Sequence, residues 1–265
     1  MDWSKLQKEN PIIQSIGSDW ERLCSRTCNE HRYHDYIKGH AGFFLVDGIN
    51  SFFAISKLKL GSNMETDFAI PVENHSMGLF WELIEIKTPK AAPYSAKGTP
   101  SSSLVRAVQQ VQDWKDWILD NRSTAMRIFQ ARRVRMCQNP NFKFTVIIGT
   151  RENSEKFLDK RNRFATSQNI EIRSFEYLTE RFRRRVFFEQ VWLLNGMWDK
   201  KHPREQSLLA NPFFEAMTDS SWKALLKEPG VTYPHFTSKS YQQLLDYLTP
   251  NEPRYKEFID WESKA

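Results

Sequence analysis

The run Phe80-Trp81-Glu82-Leu83-Ile84-Glu85-Ile86-Lys87 places a carboxylate and an ammonium two residues apart in an otherwise apolar segment. Side chains alternate across a strand, so Glu85 and Lys87 share one face. Ile84 and Ile86 on either side of Glu85 mark the strand as central to a sheet, where either charge alone is costly and needs a partner or a metal ion. Eighteen residues upstream, Asp67 lies in Glu65-Thr66-Asp67-Phe68-Ala69-Ile70, a second strand-like run that a short turn would pair beside the first. Two carboxylates meeting at a strand bend form a hard-oxygen site suited to Mg²⁺, with water and phosphate oxygens filling the other positions. A neighbouring lysine can orient or activate the attacking water and stabilise phosphorane charge. A lone Glu-x-Lys is most often an ordinary cross-strand ion pair. Asp67 upstream and Gln110 on the following helix shift the reading toward hydrolysis.

The elements that must position these residues follow from periodicity and caps. A helix is expected from Ser18 or Asp19 toward Lys38, then strands over Phe52–Leu60, Thr66–Val72 and Leu79–Thr88, the last stopped by Pro89. Lys90–Pro100 reads as a loop. Ser101–Ser103 then caps a helix through Leu119, whose Leu104, Val108, Val111 and Ile118 recur at helical spacing. A basic helix over Thr124–Met136, a strand over Phe144–Gly149, a helix over Ser154–Thr166, a strand over Ile170–Arg173 and a long helix to Asn195-Gly196 complete the pattern. This order gives an α/β fold, a mixed sheet flanked by helices. Residues 1–198 form the main domain with its N-terminal helix. Residues 199–265, with six prolines, form a mostly helical C-terminal extension packed on it or on a partner subunit.

Composition narrows the class. The 265 residues are 40% hydrophobic and 26% charged, which excludes a disordered chain, and three cysteines favour a reducing compartment. No apolar run approaches the roughly 18 residues of a membrane span, so a cytoplasmic protein with no membrane partner is expected. The net charge of +6 is unevenly spread. Asn121–Val186 holds 16 Lys and Arg against 6 Asp and Glu, including Arg132, Arg133 and Arg135 and then Arg181, Arg183, Arg184 and Arg185. Such a field attracts nucleic acid, while each cluster taken alone is equally readable as a solvated helix face.

Asp67…Glu85-Ile86-Lys87 followed by Gln110 and Trp114 on a helix resembles the PD-(D/E)XK restriction-endonuclease-like core, and within it the Shedu antiphage nucleases. The resemblance rests on Asp67–Ile70, Ile84–Pro89 and Ala107–Trp114, with support from Val146–Gly149, Ile170–Ile172 with Tyr177-Leu178, and Asn29–His40; it covers about residues 20–185. It implies metal-dependent cleavage of DNA phosphodiesters in prokaryotic defence by a homo-oligomer, dimer or tetramer. Asp67 and Glu85 would ligate Mg²⁺, for which Mn²⁺ substitutes, with the Ile86 carbonyl completing the protein ligands. Lys87 would position the water and Gln110 would support that lysine or the phosphate. Arg132, Arg133, Arg135, Arg183 and Arg184 are the candidate DNA contacts. Trp114 departs from the family, whose members often have Tyr four residues after the Gln, and residues 196–265 stand where many relatives instead extend ahead of the nuclease. The reading from another class is a non-catalytic nucleic-acid-binding or sensor protein on the same fold.

Three side signals stay open on sequence. Glu30 interrupts an apolar stripe and reads as a third carboxylate at the metal or as a helix-edge salt bridge. Lys90 and Lys97 either hold phosphate or keep their loop soluble. Cys24, Cys28, His31 and His34 invite zinc, but four ligands on one straight helix cannot surround an ion.

Overall fold

The computed structural model describes residues 10–48, 51–74, 78–129, 142–185, 211–228 and 244–264. The first expected helix is two. Asn10 opens α1 (Pro11–Ser25), its side-chain oxygen accepting the N–H groups of Ile12 and Ile13 at 2.8 and 3.0 Å, with Pro11 in the first turn. Asn29 opens α2 (Glu30–Gly39) by accepting the N–H of Arg32 at 3.2 Å. That local bond starts a second helix instead of continuing the first, a cap signal hidden inside an apparently continuous stripe. A short α3 (Ala41–Phe44) follows, buried along its whole length.

The strand expected over 52–60 is also broken. It forms β1 (Ile55–Ser56) and β2 (Lys59–Leu60), because Lys57 between them has a φ of +54°, outside the extended region. β3 (Met64–Glu65) pairs with β2, and β4 (Phe68–Asn74) pairs with β1. The core strand β5 (Gly78–Ile86) lies antiparallel to β4, with Phe68 opposite Ile84. The helix α4 (Ser102–Asp120), capped by the Ser101 hydroxyl, then crosses over to β6 (Phe142–Ile147), parallel to β5. A further parallel strand, β7 (Glu171–Arg173), closes that edge.

Between these strands lie α5 (Arg122–Ile128), shorter than the basic helix expected there, and two pieces, α6 (Arg151–Glu155) and α7 (Leu158–Ser167), where one helix was expected. The capping box of Thr150 and Asn153 starts α6 three residues early. The helix α8 (Glu176–Arg183) ends at Arg183, with Arg184 as its C-cap, where a long helix toward residue 196 was expected; residues 186–196 lie outside the described residues. Arg132, Arg133 and Arg135, on which the expected basic helix rested, lie outside the described residues.

The C-terminal residues complete the sheet. β8 (Met217–Thr218) runs parallel to β1, giving the six-stranded order β7-β6-β5-β4-β1-β8. The helices α9 (Asp219–Leu225) and α10 (Glu252–Glu262) follow. Trp222 of α9 packs on Phe53 and Trp81 and donates its indole N–H to the Ile128 carbonyl at 3.0 Å. A Cβ at Gly42 would overlap the Pro212 carbonyl oxygen, so only glycine lets this segment cross α3. The result is a mixed α/β protein with a six-stranded mixed sheet, and residues after 210 share its core. No described helix is long and apolar enough to cross a membrane.

Candidate active site

The register builds the site. Phe68 is the first residue of β4 and faces Ile84, so Asp67 just before β4 comes beside Glu85 near the end of β5. One Asp67 oxygen, Oδ2, accepts the Ile86 N–H at 2.7 Å, and Oδ1 accepts from Lys57 Nζ at 2.6 Å. Glu85 is held at both oxygens: Lys87 Nζ donates to Oε1 at 2.6 Å and Gln110 Nε2 donates to Oε2 at 2.8 Å. The crossover helix α4 thus fixes the orientation of a carboxylate on the strand before it. The expected partners for Gln110 were the lysine or the phosphate; its bond in this structure is to Glu85.

Glu30 joins them. His34, one turn further along α2, stacks on Phe68 with centroids 4.7 Å apart and lies 3.2 Å from the Ser56 hydroxyl through Nε2. Residues four apart share a helix face, so anchoring His34 on β1 and β4 brings Glu30 over the strand ends. Glu30 lies 3.6 Å from Lys87 Nζ. Glu30, Asp67 and Glu85 each offer a carboxylate oxygen within 4.8 Å of the other two. Among the described residues this is the group of three or more acidic, His or Cys side chains that could hold a metal ion.

The electrostatics show a shortage of positive charge. Burial, then the Asp67 charge, pushes the Glu85 carboxyl up to about 8. Burial pulls the Lys87 ammonium down, yet Glu85, Glu30 and Asp67 outweigh it and leave its pKa above the ordinary value. Among the described residues, Glu30, Glu65, Asp67 and Glu85 share only Lys57 and Lys87 as ion-pair partners at the site. An all-oxygen donor set with excess negative charge fits Mg²⁺ or Mn²⁺.

Comparison with protein families matches residues 27–179 to the family described as Shedu protein SduA, C-terminal. The chain belongs to this Shedu family. The Shedu match contains Glu30, Lys57, Asp67, Glu85, Lys87 and Gln110, and ends inside α8. Comparison with curated proteins finds no match.

Within and beside the Shedu segment, the other sequence signals resolve individually. Trp114 is fully buried on α4, one turn beyond Gln110. Cys24 sits on α1 and His31 and His34 on α2, with Cys28 in the turn between; these four form no ligand cluster among the described residues. Burial pushes the Cys24 thiol up to about 12, away from the thiolate that zinc requires. Lys90 and Lys97 are exposed. The arginines at and just past the end of α8 divide by depth. Arg181 donates to the Tyr177 hydroxyl at 2.9 Å and to the Leu45 carbonyl, and Arg185 donates to the Gly42 carbonyl at 2.9 Å, so both bind the fold together. Arg183 and Arg184 are exposed and pair with Glu21 and Glu180. Sequence reasoning missed Lys57. A hairpin centred on Gly61-Ser62-Asn63 places residue 57 opposite residue 67, so the turn already held the signal.

Proposed function

We propose that the chain is a divalent-cation-dependent endonuclease of the PD-(D/E)XK type acting on DNA in antiphage defence. The observation that carries the reading is the convergence of Glu30, Asp67 and Glu85 within 4.8 Å, with Lys87 Nζ 2.6 Å from Glu85. Shedu membership supports both the chemistry and the defence role.

Asp67 and Glu85 would hold Mg²⁺ or Mn²⁺, joined by the Ile86 carbonyl. A cation bound there would lower the pKa of a bound water and offset charge on the phosphoryl oxygens. Lys87, already beside Glu85, would orient the attacking water and stabilise the charge that builds at phosphorus. Gln110 would keep Glu85 turned toward the site, and the Ile86 N–H does the same for Asp67. In-line attack would leave a 3′ hydroxyl and a 5′ phosphate. Arg132, Arg133 and Arg135, with the exposed Arg183 and Arg184, would bind the DNA backbone and a homo-oligomer would present paired sites.

The test is cleavage of supercoiled, linear and single-stranded DNA in Mg²⁺ or Mn²⁺ against EDTA. Cutting should require the cation and be lost in Asp67→Asn. Cleavage that persists in EDTA would sink the assignment.

A further inference from the structure

Lys57 is a second lysine at the acidic cluster, and its placement is unusual in two ways. It is one of two non-glycine residues with positive φ among the described residues, the other being Asn169. Asparagine tolerates that region through its short polar side chain; lysine has no such help, and a lysine held there is imposed by its surroundings. Its position is also set by register. Ser56 faces Phe68 and Lys59 faces Glu65, so Lys57 stands directly opposite Asp67 inside the same hairpin. The Lys57 N–H donates to the Asp67 carbonyl at 3.1 Å, tying the distorted residue to the residue it serves.

The side chain spans two carboxylates of different character. Nζ lies 2.6 Å from Asp67 Oδ1 and 3.3 Å from Glu65 Oε1. Asp67 is 6% exposed at the side chain and Glu65 46%, so one partner belongs to the buried site and the other to solvent. Asp67 Oδ2 is already committed to the Ile86 N–H. Oδ1 is therefore the oxygen for which a cation and the Lys57 ammonium compete. An ammonium on a flexible four-carbon stem can change partners without leaving the cluster.

We propose that Lys57 is a built-in counter-ion of the metal centre: it neutralises Asp67 while the divalent cation is absent and passes to Glu65 when the cation takes Asp67. This rests on the metal-dependent reading above. Lys57 is then a positioning residue that keeps two buried carboxylates compatible with folding before metal arrives. It also sets a threshold on metal uptake, because each cation must displace it.

Calorimetric titration of Mn²⁺ alone into the full chain tests this. Lys57→Met should tighten Mn²⁺ binding about tenfold, equivalent to about 1.4 kcal/mol. Lys57→Gly, which accepts the positive φ without strain, should give the same gain and guards against misfolding of the first variant. Glu65→Gln removes the alternative partner and should weaken Mn²⁺ binding by about threefold, the scale of an exposed ion pair. Unchanged or weaker Mn²⁺ binding in both Lys57 variants overturns the proposal, and a raised KM for DNA in that case would identify Lys57 as a phosphate contact. If wild type binds Mn²⁺ no better than Asp67→Asn, the metal centre itself is wrong and the counter-ion falls with it.

Discussion

Glu82 and Glu85 sit three residues apart on β5, each 2% exposed, and their surroundings are opposite. Odd spacing sends them to opposite faces of the sheet. On β6, Lys143 stands directly across from Glu82, and its ammonium lies 3.4 Å from the carboxylate. The Thr145 hydroxyl donates to Glu82 at 2.8 Å, and Arg181 approaches to 3.8 Å. Across from Glu85 on β6 is Val146, which offers nothing. On the other side stands Asp67, just ahead of the start of β4, a second carboxylate. Glu82 is closed by neighbours whose charges the fold supplies. Glu85 shares one lysine with Glu30 and faces a like charge. A buried charge that the protein itself completes is structural; one left short is where an outside cation would have a role.

The largest expected effect separates the two by chemistry. Lys87→Ala should lower plasmid cleavage by about 10²–10³, the loss typical of a group that stabilises transition-state charge, when rates are compared per folded protein, since the variant also loses the ion pair to Glu85. Glu82→Gln should cut normally in whatever fraction is folded. Wild-type rates from Lys87→Ala would place the reacting groups elsewhere.

Stability in EDTA should separate them by sign. Glu82→Gln takes one counter-charge from Lys143, which keeps Glu171 at 3.4 Å, and one from Arg181, and should cost about 2 kcal/mol in urea unfolding, a buried-pair loss reduced by the partial exposure of both cations. Glu85→Gln relieves the repulsion with Asp67 and should gain up to about 1 kcal/mol. Destabilisation of equal size at both positions would make Glu85 another structural acid.

Metal linkage sharpens the contrast. At ten times its Kd, Mn²⁺ should add about 1.4 kcal/mol to wild type and to Glu82→Gln, a rise of a few degrees in Tm, and nothing to Asp67→Asn. Calorimetric melts that rise equally in all three would remove Asp67 from the ligand set.

The same division by burial applies to the arginines at and just past the end of α8. Replacing Arg183 and Arg184 by Ala should flatten the dependence of log K on log salt for duplex DNA by up to about 2, and replacing Arg132, Arg133 and Arg135 by up to about 3, at roughly 0.9 per phosphate contact. Filter binding across salt concentrations reads the slope; no change in either variant means the DNA lies elsewhere.

The smallest effect is a pH response outside both regions. Burial holds the His40 imidazole below its ordinary pKa of 6.5, with its Nδ1 2.9 Å from the Tyr36 carbonyl. The unfolded chain therefore takes the proton first as pH falls, and stability drops as pH passes down through the ordinary value. His40→Asn should flatten unfolding free energy between pH 7 and about 5; an unchanged pH profile would show that His40 is not the residue responsible.

Much of the site was legible because strand alternation and type-specific chemistry act locally. Glu85, Lys87 and Asp67 could be picked from spacing, and α4 from its Ser101 cap and apolar stripe, since both depend on residues a few positions apart. The α1–α2 break was missed where the capping Asn29 lay inside a run that hydrophobic periodicity reads as continuous, and α6 began early because the Thr150 cap lies ahead of the helix expected there. Glu30 stood open between two roles because its position depends on His34 docking against Phe68, a contact made across 34 residues of sequence.

The sequence by itself determined the α/β class, the grouping of Asp67 and Glu85 with Lys87 and the basic middle of the chain, for these follow from residue type and period alone. Tertiary structure decided the rest. It set Lys57 opposite Asp67, turned Gln110 onto Glu85, sent Arg181 and Arg185 inward while leaving Arg183 and Arg184 in solvent, and drew Met217–Thr218 into the sheet beside β1. Each of these joins residues that are distant in the chain or fixes which side of a helix faces the core. Local propensity is silent on both, because which charge is completed and which is left short depends on the neighbour that packing delivers.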